Sequence, residues 1–354
     1  MATGTVALIG TLPGIFSIIS GLLVGRFAGT AIKYKTFLIL ALVITSIGGS
    51  CSVLFPLWSV LLFSRMCVGF GVGIFFALPP ALIMKYYSGD AQRSKLGLAS
   101  SFGSAGGLLM MLAVGVLADI QWNFIFLIYS VAVIPLILVL IGLKEPERPL
   151  PSSAALPKAK NNIPLPILLN FVMVFMLSLL GMTAMVFISS VIITRGLGTS
   201  VHAGVVAMMF NISGMILSVL FAPLYKIFKK YLAIIALVIV NIGLVLVYFA
   251  TSLVMAGVGM FCVGGFLLMI PTTLTDNARW LKPEAMTFVA SLLGVSLNVG
   301  AFMMGPYIQI ATSLGNDILA PLFFAIFGLA ATIIVFFVVR LFQKEPDLKQ
   351  ESTT

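Results

Sequence analysis

Apolar residues run along this chain in long, nearly uninterrupted blocks, and polar residues gather in short gaps between them. Eleven blocks reach the length a bilayer-crossing helix needs, about 20 apolar residues. The pattern predicts spans at Thr5–Ala28, Thr36–Phe55, Trp58–Met84, Leu96–Leu117 and Phe124–Leu143, and then at Pro166–Ile188, Val201–Phe221, Leu232–Ala250, Val254–Leu274, Met286–Thr312 and Ile318–Leu341. Their length predicts helices, because barrel strands are about 10 residues long and alternate strictly. The one long polar gap in the interior is Lys144–Asn162, rich in proline, charge and small polar residues. It divides the chain into an N-terminal half of five spans (1–143), a linker (144–163), a C-terminal half of six spans (164–343) and a polar tail (344–354). The expected fold class is all-α, a polytopic helical membrane protein of two bundles, with five and six spans.

The halves repeat one another. The first span carries Gly14, Ser17, Gly21 and Gly25 down one face. The seventh carries Asn211, Gly214, Ser218 and Ala222 at the same spacing, 197 residues later. Ala99-Ser100-x-x-Gly103 in the fourth span returns as Ala290-Ser291-x-x-Gly294 in the tenth, and Cys67-Val68-Gly69 in the third as Cys262-Val263-Gly264 in the ninth. The matches keep one order, so the halves read as parallel copies. The sixth span alone lacks a partner. Its partner would be a helix preceding Thr5, so the expected complete form has six spans in each half.

Charge orients this pattern. Only 8% of residues are charged and 61% are hydrophobic, with a net charge of +10, whereas soluble domains are about 25% charged. Eighteen of the 20 Lys and Arg fall in gaps after odd-numbered spans or in the tail, and the alternate gaps hold only Arg195. Basic loops stay in the cytoplasm, which predicts a cytoplasmic linker and C-terminus. The positive charge is therefore a topology signal, and no nucleic-acid partner is expected. Cys51, Cys67 and Cys262 sit inside apolar blocks without metal-ligand spacing. No phosphate loop, nucleophile–base pair or metal motif is present. Neither an enzyme, a cofactor nor a metal site is expected.

Four stretches carry a family resemblance. Gly21-Leu22-Leu23-Val24-Gly25-Arg26, followed by Lys33 and Lys35, is similar to the signature loop Gly-x-Leu-x-Asp-Arg of the major facilitator superfamily, with Gly25 in place of Asp. Arg65-Met66-Cys67-Val68-Gly69-Phe70-Gly71 resembles its fourth-helix pattern, with Val68 in place of Gln. Gly103-Ser104-Ala105-Gly106-Gly107 resembles the fifth-helix antiporter pattern, and Trp122-x-Phe124-x-Phe126 with Glu145-Pro146-Glu147 resembles the sixth-helix junction and exit. The resemblance implies a secondary transporter of two six-helix halves that works by alternating access, and the first of its twelve helices has no counterpart in this chain. It makes Gly21, Gly25, Arg26, Lys33 and Lys35 gating-loop candidates. It also makes Phe70, Phe171, Phe175, Met176, Asn211, Phe266, Met269 and Asn298 cavity-lining candidates.

Arg65 is the one charge the pattern places well inside hydrocarbon, about 10 Å deep at 1.5 Å per residue. An embedded Arg must face the bundle interior and have a partner. It either couples transport and attracts an anionic group, or it bonds the surrounding protein structurally. All ten acids fall in gaps, tails or span ends, so no embedded carboxylate is expected to relay protons. Gly69, Gly73, Gly103, Gly106, Gly107 and Gly294 read as helix-packing positions. Pro79, Pro80 and Pro271 are expected to break their helices.

The expected function is secondary active transport, most simply efflux of amphipathic or drug-like molecules. A carrier of small organic anions and a transport-dead scaffold or sensor are the alternatives. The expected setting is a multi-pass monomer in the cell (inner) membrane, with lipid, a small-molecule substrate and protons as its partners.

Overall fold

The computed structural model describes residues 3–145, 165–278 and 286–342. Most of the linker and the polar tail lie outside the described residues. Each expected span is a helix. The first half holds Thr3–Phe27, Tyr34–Leu54, Trp58–Tyr86, Gly89–Ile120 and Trp122–Gly142. The second holds Leu165–Thr194, Ser200–Val219, Leu232–Tyr248, Leu253–Asn277, Met286–Gly315 and Ala320–Phe342. A short helix, Phe221–Phe228, bridges the seventh and eighth spans. Among the described residues nine helices are long and apolar enough to cross a membrane. The first and eighth spans fall outside that count, the first with Leu12–Phe27 as its apolar stretch and the eighth with 17 residues, about 25 Å of helix.

Local chemistry sets the helix ends and irregularities. After the first span the chain turns on Gly29 at φ +79°. A Cβ there would collide with the Tyr34 ring, so glycine is required. The second span starts where the Glu145 carboxylate accepts the backbone N–H groups of Tyr34 and Lys35 at 2.7 and 2.9 Å. A carboxylate at a helix N-terminus meets the positive end of the dipole. His202 helps start the seventh span, its Nδ1 accepting the Thr199 N–H at 3.2 Å.

The prolines act differently from expectation. The Trp58–Tyr86 helix continues through Pro79 and Pro80. Pro271 also lies inside a helix, but Gly264–Leu268 just before it tightens to 3₁₀ geometry. Proline has no N–H to give the carbonyl four residues back, and in the ninth span the tighter turn falls on that stretch.

Hydrocarbon gives apolar surfaces little reason to leave it, so these helices associate through close backbone approach and interhelical hydrogen bonds. The sixth span shows this best. Ser178 donates to the Leu297 carbonyl at 2.7 Å, Gly300 sits against Ser178 and Phe175, and Gly328 sits against Leu180. Its apolar window is 61% buried, against 6% for the fifth span. The fourth span of the first half is likewise little buried, at 17%.

Candidate functional site

The two halves meet along two seams, and each seam is a repeat of the other. In one, the first span packs on the tenth. Gly14 faces Phe302 and the Asn298 carbonyl, Gly21 faces Val295 and the Ser291 carbonyl, and Gly25 faces Ser291 and Phe288. In the other, the fourth span packs on the seventh. Gly97 lies against the Ser218 carbonyl and Phe221, Ser101 donates to the Met215 carbonyl at 3.1 Å, and Gly107 faces the Asn211 amide oxygen. The repeat equates Gly14 with Asn211 and Gly107 with Asn298, so both seams pair an asparagine with a glycine. Small residues let the backbones touch, and close contacts that interdigitate can separate as a unit.

Three further contacts join the halves at the end of the bundle that carries the basic loops. Tyr34 and Thr287 share a hydroxyl–hydroxyl hydrogen bond of 3.3 Å. Within the first half, Lys85 supports this contact by donating to the Tyr34 hydroxyl at 2.6 Å and lying over its ring. Asp90 takes Lys226 at 2.7 Å and Arg93 at 2.9 Å, and the Arg93 guanidinium lies 5.0 Å above the Tyr225 ring.

Behind this end, in the second half, lies a polar cluster that the sequence pattern missed. Arg340 pairs with Asp276 at 2.8 Å. It also donates to Asn170 at 3.1 Å, Asn170 donates to Asn277 at 2.6 Å, and the Tyr225 hydroxyl donates to the second Asp276 oxygen at 2.7 Å. All five residues are buried, Asp276 at 1% and Arg340 at 6% exposure. Two expectations are corrected. Arg340 belongs to the last turn of the eleventh helix and not to the gap after it, and it is buried. Asp276 closes the ninth helix inside the bundle and is not a solvated span end. Each hides in the sequence because it lies next to a polar stretch, although Val338-Val339-Arg340-Leu341-Phe342 is an apolar run and could have been read as such.

Arg65 is held within the first half. Its guanidinium donates to Tyr129 at 3.1 Å and lies 4.8 Å from the centre of the Phe126 ring, while its Nε is buried without a hydrogen bond. The fifth span therefore supplies the partner that an embedded Arg requires.

The remaining candidates sort by position. Gly21 and Gly25 lie in the first seam, while Arg26 and Lys33 are exposed. Lys35 donates to the Leu140 carbonyl at 2.8 Å. Phe70, Phe175, Met176, Asn211 and Asn298 are half-buried, and the Asn298 amide donates to the Gly294 carbonyl of its own helix at 2.7 Å. Phe171, Phe266 and Met269, expected to line a cavity, are buried in the second half's core. Gly69 and Gly73 lie against Pro13 and Ser17 of the first span, and Gly294 lies against Phe76. Gly103 and Gly106 have open space where a Cβ would point, so the packing expected of them is not realised.

Two pseudo-symmetric helical halves that touch along glycine-lined seams define a polytopic membrane transporter. The family model of the Major Facilitator Superfamily matches residues 1–278, and the chain belongs to that superfamily. No curated protein matches it in sequence. Solved structures agree in fold. FucP, a major facilitator superfamily transporter in its outward conformation, is 14% identical with a TM-score of 0.68, covering 96% of this chain and 91% of that one. The E. coli fucose:proton symporter FucP is 16% identical with a TM-score of 0.67 over the same coverage. The human organic anion transporter MFSD10 is 15% identical with a TM-score of 0.78, covering 93% and 83%.

Proposed function

We propose that this secondary transporter exports amphipathic or drug-like molecules by alternating access, with protons as the coupling ion. The observation that carries the reading is the symmetric pair of seams. Closed at the basic end, they leave the opposite end as the side on which the halves can part. The half-buried candidates are mainly apolar (Phe70, Phe175, Met176), and Asn211 and Asn298 add two half-buried amides. Adaptable Met and aromatic surfaces suit varied amphipathic ligands. Proton coupling is in line with the fucose:proton symporter among the structural neighbours. By the charge bias of its loops the basic end is cytoplasmic, in the cell (inner) membrane, and the protein acts as a monomer. The organic-anion alternative rests on Arg65, and that guanidinium is engaged by Tyr129 and Phe126 of its own half.

The test is transport by purified protein in liposomes under an imposed pH gradient. A neutral amphipathic fluorophore and an organic anion of similar size would be compared. Gradient-dependent movement of the fluorophore alone supports the proposal. Movement of the anion alone establishes the alternative. Failure of both, with no counterflow, marks a scaffold.

A further inference from the structure

We propose that Tyr225 is a positioning residue of the gate at the basic end, linking the buried Asp276–Arg340 pair of the second half to the closing contacts of the first. Tyr225 belongs to the short helix Phe221–Phe228 and is 1% exposed. Its hydroxyl is fixed by Asp276 at 2.7 Å, and Asp276 is fixed in turn by Arg340 at 2.8 Å. Its ring is the platform for Arg93, which belongs to the fourth span in the other half. The next residue, Lys226, reaches Asp90 in the first turn of that same span at 2.7 Å, and Asp90 also holds Arg93 at 2.9 Å. One turn earlier, Phe221 and the Ser218 carbonyl close on Gly97.

The physical consequence follows from what each contact is worth. Lys226 and Asp90 are more than half exposed, and such an ion pair alone holds little. Arg93 is more protected, and a guanidinium over an aromatic face gains as water is excluded. That gain needs the ring to stay in one place. The ring stays there because its hydroxyl is anchored in a buried pair that is costly to disturb. The second half thus presents a rigid aromatic anvil, and the first half closes on it. Loss of the anchor shifts the population toward the state open at the basic end. The inference rests on the alternating-access reading, but its test needs no substrate.

The test uses Ser218→Cys, a fully buried position under the closed seam, in full-length protein whose Cys51, Cys67 and Cys262 are replaced by Ala. The protein is held in lipid nanodiscs, so an impermeant thiol reagent reaches both ends. The labelling rate reports opening at Gly97. Arg93→Gln, which leaves the second half's interior intact, is expected to raise the rate about two- to fivefold. Arg93→Lys keeps a cation over the ring and is expected to stay near the parent rate. Tyr225→Phe and Asp276→Asn are expected to raise the rate by a similar factor and, combined with Arg93→Gln, to add little. An unchanged rate in Arg93→Gln overturns the proposal. So does a fall in melting temperature in Tyr225→Phe or Asp276→Asn with no change in rate, because that makes the cluster structural only. Failure of substrate transport with these labelling shifts intact would count against the proposed function and not against the gate.

Discussion

Asp276 and Arg340, on the ninth and eleventh spans, form a salt bridge of 2.8 Å that is almost entirely shut away from solvent. The pair ties two helices of the second half together, and Asn170 adds a third. One Asp276 oxygen takes the Arg340 guanidinium and the other accepts the Tyr225 hydroxyl, so the carboxylate acts as a clamp.

Breaking the clamp by removing one partner leaves a buried charge alone. Asp276→Ala or Arg340→Ala is expected to cost about 3–5 kcal/mol of stability. Replacing both together, Asp276→Leu with Arg340→Met, is expected to recover most of that loss. Thermal unfolding of detergent-purified protein measures both. Equal damage from the double and single variants would show that the cluster matters for its hydrogen bonds and not for its charge balance.

Arg65 makes a second test of stability against transport. Arg65→Met removes the contacts to Tyr129 and Phe126 and is expected to lower stability by about 1–2 kcal/mol. Arg65→Lys keeps a cation near Phe126 but loses the planar fork, so an intermediate loss is expected. Unchanged melting with transport abolished would reassign Arg65 to coupling or substrate attraction.

Glycines at helix contacts are expected to differ sharply from glycines that face open space. A Cβ at Gly73 would run into the Ser17 carbonyl and the Ser20 hydroxyl, whereas one at Gly106 meets nothing within 4 Å. Gly73→Ala is therefore expected to destabilise the first half. Gly106→Ala is expected to be neutral or to stabilise by about 0.5–1 kcal/mol through helix propensity. Melting temperatures decide this, and a damaging Gly106→Ala would mean that another helix approaches there in the membrane.

Membrane orientation is open to direct labelling. Thr30 and Thr251 are both exposed, Thr30 in the basic gap after the first span and Thr251 in the gap before the ninth. In a cysteine-free background, Thr251→Cys in intact cells should react with an impermeant thiol reagent and Thr30→Cys should not. The opposite pattern would place the basic end outside.

The set of helices and their pairing by repeat can be read from local sequence. Apolar length is a local property, and hydrocarbon leaves a spanning backbone few choices besides the helix. The helices and the parallel halves were therefore legible from spacing alone, as was the family's motif at Gly21 to Arg26. Partnership was not legible, because it depends on which faces meet. Gly14 and Gly25 announced a packing face but not that the tenth span would fill it, and Gly103 and Gly106 announced one that stays open. Arg340 read as a loop charge and Asp276 as a span end because each borders polar sequence. Only the tertiary structure, by bringing two helix ends 64 residues apart within 2.8 Å, made them one buried pair. A charge can sit in that setting only when its partner arrives with it, and the partner's arrival is a property of the fold.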